Sequence, residues 1–172
     1  MYGRQRQSIE VRRFTPTDSA QVAALFHATV RNLAPQYYTH AQVAAWAPAD
    51  LNFRDWAAVC STRLTYVADS AGRILGFGEL EPQGHIDCFY VHPEHQGCGL
   101  GRAIYRALEQ EAHGLYLSRL WVEASRPAQP FFERLGFTTQ AIEMVNRRGQ
   151  AFQRYAMDKQ LTWGDPTCSA KR

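Results

Sequence analysis

Gln96-Gly97-Cys98-Gly99-Leu100-Gly101-Arg102 stands between an apolar segment that reads as a strand, His85 to Val91, and a segment that reads as a helix running to His113. Leu100, Ile104, Leu108 and Ala112 fall on one face of that helix. Glycine at alternate positions allows positive φ and close approach of the backbone. It also aims N–H groups into one concave spot at the positive end of the helix dipole, where a diphosphate fits. A strand, such a turn and a helix make a parallel crossover, and Leu117 to Glu123 is the apolar run placed to complete it. A tight turn without any ligand uses glycine in the same way, so the loop alone decides for the crossover and not for its occupant.

The rest of the chain fixes what surrounds that crossover. Ser8 to Thr15 alternates as an edge strand, and Thr15-Pro16 with Asp18 starts a helix carrying Val22, Leu25, Phe26, Thr29, Val30 and Leu33. Thr39 with Gln42 starts a second helix through Val43, Ala44 and Trp46 to Pro48, and a third covers Trp56 to Ser61. From Leu64 the period changes to that of strands. Leu64 to Ala68, Arg73 to Leu80 and His85 to Val91 form an antiparallel meander, turning at Asp69-Ser70-Ala71-Gly72 and Pro82-Gln83-Gly84. After the crossover, Pro127 to Leu135 reads as a short helix, and Phe137 to Val145 and Ala151 to Asp158 as a hairpin about Arg147-Arg148-Gly149. This order predicts an α+β fold, a mixed α/β sandwich. At roughly 100–200 residues per domain, the 172 residues make one domain over 8–160, with a flexible N-terminus at 1–7 and a flexible C-terminal tail at 161–172.

Composition removes several functions. Nineteen Lys and Arg against 16 Asp and Glu give a net +3 spread along the chain, which argues against nucleic acid as a partner. No run of about 18 apolar residues and no leader pattern occur, so no membrane partner is expected and the cytoplasm is the expected compartment. Cys60, Cys88, Cys98 and Cys168 form no C-x-x-C pair, as suits a reducing compartment. His92-Pro93-Glu94-His95, near His85 and Cys88, lies on a loop without the fixed helical spacing of zinc motifs, and no metal is expected. Cys98, beside a helix N-terminus, is open both as a nucleophile partnered by His92 or His95 and as a small residue the loop tolerates. Arg102-Ala103 after Gly101 excludes a Walker loop. The G-x-G-x-G spacing in mid-chain disfavours a dinucleotide fold, in which Glu123 would have to serve the ribose.

Phe89-Tyr90-Val91-His92-Pro93-Glu94-His95 followed by the glycine loop resembles motif A of the GNAT superfamily of N-acetyltransferases. Ala128-Gln129-Pro130-Phe131-Phe132-Glu133-Arg134-Leu135-Gly136-Phe137 is similar to its motif B. The Phe-Phe-Glu-Arg run and the Tyr37-Tyr38-Thr39 segment look closest to the small bacterial YafP-like group of acetyltransferases. The resemblance implies a GNAT fold, a twisted and mostly antiparallel sheet of about seven strands with one splayed parallel pair and about four helices.

It also implies acetyl-CoA as co-substrate and no metal. The diphosphate would be held at Gln96, Gly97, Cys98, Gly99, Leu100, Gly101 and Arg102, and the pantetheine along Phe89, Tyr90 and Val91, with Ser125, Phe131 and Phe132 beside it. A backbone N–H near Tyr90 or Val91 would polarise the thioester carbonyl. Ser125 stands where many members carry asparagine, and Phe132 where they carry the tyrosine that protonates the thiolate. Tyr38, Tyr90, Tyr116 and Tyr155 remain as acids, and Tyr38 is carried as the catalytic candidate. Strict alternation puts His85, Asp87, Phe89 and Val91 on one face of their strand and Ile86, Cys88 and Tyr90 on the other. His85 matches the glutamate base of histone-acetylating members, and a histidine titrates in a suitable range. Asp87 is a second candidate base. Tyr37, Tyr38, Trp46 and Glu79 are candidates for the acceptor pocket, and Asp87 and Glu79 are equally suited to pairing with an arginine. The partner implied is a small-molecule or peptide amine, with a homodimer open. A non-catalytic acyl-CoA sensor is the alternative, on the strength of Phe132.

Overall fold

The first helix is built by its cap. In the computed structural model, which describes residues 8–162, the strand β1 (Glu10–Arg13) leads into a 3-10 turn at Pro16–Asp18 and then α1 (Ser19–Leu33). Thr15 and Asp18 form a reciprocal capping box. Asp18 is buried and takes both terminal nitrogens of Arg12, at 2.8 and 2.9 Å. The hydrogen bond from Arg12, outweighing burial and helped by Thr15, lowers its pKa from 3.8 to about 2. A carboxyl whose folded pKa lies below its unfolded one stabilises fully above the unfolded value and loses that contribution as pH falls through the folded one. The gap is worth about 2 kcal/mol between about pH 4 and pH 2. Asp18→Asn is therefore expected to flatten the fall in urea-unfolding free energy across that window; an acid limb as steep as the parent's would assign the loss to other groups.

Helices α2 (His40–Trp46), capped by Thr39 and Gln42, and α3 (Trp56–Thr62), capped by Asp55, precede the meander β2 (Leu64–Ser70), β3 (Arg73–Leu80) and β4 (His85–Val91). The crossover helix α4 (Leu100–Gly114) leads to β5 (Arg119–Ser125), followed by α5 (Gln129–Arg134) and the hairpin β6 (Thr138–Arg147) and β7 (Gln150–Gln160). The seven strands form one sheet in the order β1-β2-β3-β4-β5-β7-β6. Among the described residues its one parallel pair is β4 with β5. Five α-helices flank it, where the resemblance implied about four. α1 to α3 cover one face over Phe26, Trp56, Val67 and Phe77. α4 and α5 cover the other over Ile104, Leu108, Leu120, Phe132 and Met157.

Two expectations change. The register of β4 against β3 shifts between Gly78↔Phe89 and Leu80↔Ile86, so β4 carries one extra residue. Ile86 thus packs on the α4 side with Phe89, while Cys88 and Tyr90 pack on the α1 side, and strict alternation along β4 fails. Leu161, assigned to the loose tail, is 7% exposed, and its N–H donates to Ser118 C=O at 2.8 Å, so the folded unit extends past 160. The segments 1–7 and 163–172, with Cys168, lie outside the described residues.

Candidate active site

Gly97 and Gly99 hold φ of +74° and +88°, conformations that side-chain-bearing residues rarely take. Gly99 is the N-cap of α4. Ala103 N–H bonds its carbonyl at 3.0 Å, so the N–H groups of Leu100, Gly101 and Arg102 precede the first helical bond and point out of the helix end. A Cβ on Gly101 would lie 3.0 Å from the ring of Phe131, so glycine here lets α5 press against the first turn of α4. Phe131 packs on Phe89 at 5.2 Å. Leu100 buries its side chain and offers backbone alone, while Arg102 is exposed. Cys98 donates its thiol to His95 C=O at 2.8 Å, and the Gln96 amide reaches Val91 C=O at 3.5 Å. The residues fit a bound diphosphate: an open ring of N–H donors at a helix N-terminus, with glycines where the backbone must come close.

The parallel strands part directly beside this cradle. β4 and β5 pair only at His85↔Trp121 and Ile86↔Val122, and beyond Ile86 they diverge. The β5-facing edge of β4 from Asp87 to Val91 is therefore open for an extended chain to pair with. Ser125 ends β5, and the next N–H, that of Arg126, donates to the Tyr38 hydroxyl at 3.1 Å. Tyr38 packs edge-on against Trp46 and lies 5.7 Å from the Phe152 ring. Burial raises its pKa, so it stays protonated with its own O–H free to donate. Tyr90, expected to serve by its backbone and also considered as an acid, packs its partly buried side chain against the α1 core, where its hydroxyl accepts from Trp46 Nε1 at 3.3 Å. Tyr37 is 44% exposed beyond a 3-10 turn. Phe132 is 2% exposed, edge-on to Phe89 and Phe137, so it shapes the wall from within.

A charged cluster lies on the α3 side of the parting. Glu79, expected at the acceptor, is 0% exposed and is held by Arg54 at 2.7 Å and Arg63 at 2.6 Å, with the Cys60 thiol donating at 3.3 Å. It is closed to an acceptor by these partners. Arg63 also holds Asp87, and Arg54 donates to Cys88 Sγ at 3.1 Å. Burial pushes the Cys88 thiol well up. Glu79, Asp87 and Cys88 group their ligand atoms within 4.8 Å of one another, and the guanidiniums already supply the positive charge there. His85 stacks on Trp121 at 3.9 Å, with Nε2 2.5 Å from Glu123 and Nδ1 3.3 Å from Glu81.

Arg54, Arg63, Glu81 and Trp121 escaped sequence reading as site residues, and Glu123 was weighed only for a ribose. Period two places Glu123 opposite the buried Val122 and Ala124, a signal that was legible. For Arg54 and Arg63 no local pattern exists.

The description "acetyltransferase (GNAT) domain" belongs to the family whose pattern matches residues 35–159. This chain belongs to the GNAT acetyltransferase family. The uncharacterised N-acetyltransferase YafP of Escherichia coli K12 is 32% identical over 151 residues, 87% of this chain and 95% of that one. A GCN5-related N-acetyltransferase structure from Rhodopseudomonas palustris superposes with a TM-score of 0.83 at 33% identity, covering 92% of this chain and 100% of that one. The PaiA N-acetyltransferase of Thermoplasma acidophilum, solved with coenzyme A, shares the fold at a TM-score of 0.75 and 14% identity, over 90% and 99% of the two chains. This GNAT chain is an acyl-CoA-dependent N-acetyltransferase. Among its described residues no helix is long and apolar enough to cross a membrane.

Proposed function

We propose that the protein transfers the acetyl group of acetyl-CoA to a primary amine of a small molecule or peptide by direct attack within a ternary complex. The observation that carries this reading is the parting of β4 from β5 between two complementary features. A cradle of N–H donors stands at the mouth, and carboxylates with an imidazole gather at the vertex. Bound acetyl-CoA supplies an activated thioester. The backbone of Gly97 to Arg102 holds its diphosphate. The open edge of β4 orients its arm, and a backbone N–H of that edge polarises the carbonyl. The polar group around His85, with Asp87 beside it, takes the proton that an ammonium must lose before its nitrogen can attack. Tyr38, kept protonated by burial, donates to the departing sulfur. A thiol of pKa about 8.5 leaves tolerably as thiolate, so the motif B tyrosine is dispensable and Phe132 does not argue against turnover. Trp46 and Tyr37 flank the acceptor side.

The test is calorimetric titration with acetyl-CoA, then addition of spermidine, phenylalanine, kanamycin or a short lysine peptide with detection of free thiol. Binding with amine-dependent thiol release is expected. Binding without release from a wider amine panel would favour the acyl-CoA sensor, and no binding would overturn the cradle.

A further inference from the structure

We propose that Glu123, His85 and Glu81 form a proton relay that carries the acceptor's proton from the vertex of the parting strands to solvent, Glu123 being the group that receives it. The proposal rests on the acetyl-transfer reading above and names the route its proton takes. Glu123 is the first residue of β5 past the last pair with β4, Ile86↔Val122. Val122 and Ala124 on either side of it are buried under α4 and α5, so its carboxylate projects from the opposite face. At about 3.3 Å per residue, the open edge of β4 from Val91 back to Asp87 is about 13 Å long. An extended arm anchored at the glycine cradle and laid along that edge brings its thioester end toward the vertex where Glu123 stands. A cavity of about 130 Å³, lined by Arg119, Trp121, Glu123, Gln140 and Glu143 among others, opens onto the same carboxylate and leaves room for an approaching amine.

His85 is poorly placed to be the first acceptor itself. Its ring is 3.9 Å above Trp121 and nearly parallel to it, and both nitrogens already face carboxylate oxygens. Neither nitrogen points at the vertex, so the ring offers an amine there no lone pair. The ring is instead placed to conduct. Nε2 meets Glu123 on β5, and Nδ1 meets Glu81, which stands at the β3–β4 turn beside exposed Pro82 and Gln83. The outer oxygens of the two carboxylates are steadied from behind, Glu81 by Arg63 at 2.7 Å and Glu123 by Arg154 at 3.6 Å.

In the step, one N–H bond of the ammonium breaks as an O–H bond forms on Glu123, leaving a neutral amine whose lone pair attacks the thioester carbon. In the neutral Nδ1–H tautomer Nε2 carries the lone pair, so Glu123 passes that proton to Nε2, and the doubly protonated ring releases its Nδ1 proton to Glu81, which hands it to water; exchange of the ring proton with solvent restores the starting tautomer. The C–N bond forms, the adduct's nitrogen gives up its second proton to solvent, and the C–S bond breaks with its electron pair on sulfur, which takes a proton from Tyr38; water then reprotonates that tyrosine. His85 and Glu81 are thus positioning and conducting residues, and Glu123 alone touches the amine.

The experiment compares thiol release by parent, Glu123→Gln, His85→Ala and Glu81→Gln with the panel amine that the parent acetylates, with acetyl-CoA affinity as the check on folding. Glu123→Gln is expected to lose about a hundredfold in kcat with acetyl-CoA affinity unchanged. His85→Ala is expected to lose about tenfold and to recover in a saturable way with added imidazole, which can occupy the space between the two carboxylates. Glu81→Gln is expected to make turnover depend on buffer-base concentration, a response that a purely structural role would not produce. Glu123→Gln at parental kcat, or failure of both imidazole rescue and buffer dependence, would overturn the relay. A parent that binds acetyl-CoA but releases no thiol with any amine defeats the acetyl-transfer reading itself, and the relay with it.

Discussion

Gly99→Val is expected to abolish measurable acetyl-CoA binding while leaving a folded protein. Gly99 sits at φ +88° as the N-cap of α4, and a Cβ there meets no protein atom within 4 Å. The substitution therefore causes no clash in the free protein. Its effect comes through the backbone, since a β-branched residue in the left-handed region is strained by about 1–2 kcal/mol or more and relaxes by rotating the turn. Rotation turns away the N–H groups that start the helix. Each charge-assisted bond to a phosphate is worth about 1.5–3 kcal/mol, so losing two weakens binding by at least about a hundredfold. Gly72 supplies the control: it holds φ +86° in the β2–β3 turn, also with nothing within 4 Å of a Cβ, and lies away from the cradle. Gly72→Val should lose similar stability and no affinity. Calorimetry on both variants is decisive, and parental acetyl-CoA affinity in Gly99→Val would remove the loop from cofactor binding.

Glu79→Gln is expected to produce the largest loss of stability, about 3–5 kcal/mol, because it removes the buried anion between Arg54 and Arg63. The carboxylate is 0% exposed, so no water replaces it, and Arg54 is left with Asp87 alone while Arg63 keeps Asp87 and Glu81. At about 2–4 °C per kcal/mol for a chain of this size, Tm should fall by roughly 6–20 °C. Glu143, whose pair with Arg154 is more than a third exposed on both sides, is the comparison, and Glu143→Gln should change stability by less than about 1 kcal/mol. Equal effects in the two variants on thermal unfolding would show that burial does not govern the Glu79 cluster. The consequence reaches the site, because Arg63 ties the same cluster to Asp87 and to Glu81.

Helix starts were legible because they are local. Thr15 with Asp18 and Thr39 with Gln42 close their capping boxes within three residues, and the structure contains both. The meander, crossover and final hairpin were legible from the change of period and from turn glycines, and the β3 and β4 limits agree with the apolar runs. The limits of β5 moved from Leu117–Glu123 to Arg119–Ser125, because its ladder with β7 continues to Ser125↔Arg154. The faces of β4 were misread because the extra residue opposite Gly78 and Leu80 is a property of the pairing with β3 and has no signature within β4. For Glu79 the pairing with arginine holds and the place at the acceptor does not, and which arginines it meets was illegible because they come from 25 and 16 residues earlier, brought over it by the packing of α3 on the sheet.

Local chemistry in the chain was therefore enough to define the glycine cradle, the parallel crossover and, through motifs A and B, the family, since turn φ, helix caps and hydrophobic period act over a few residues. The tertiary structure alone decided which charged groups meet. Glu81, His85 and Glu123 lie beyond the end of β3, at the start of β4 and in the middle of β5, and only the register of the parallel pair brings the two carboxylates to the two nitrogens of one ring. Side-chain electrostatics acts through space at a few ångströms, and which distant residues come that close is set by strand order and register, which no local pattern encodes.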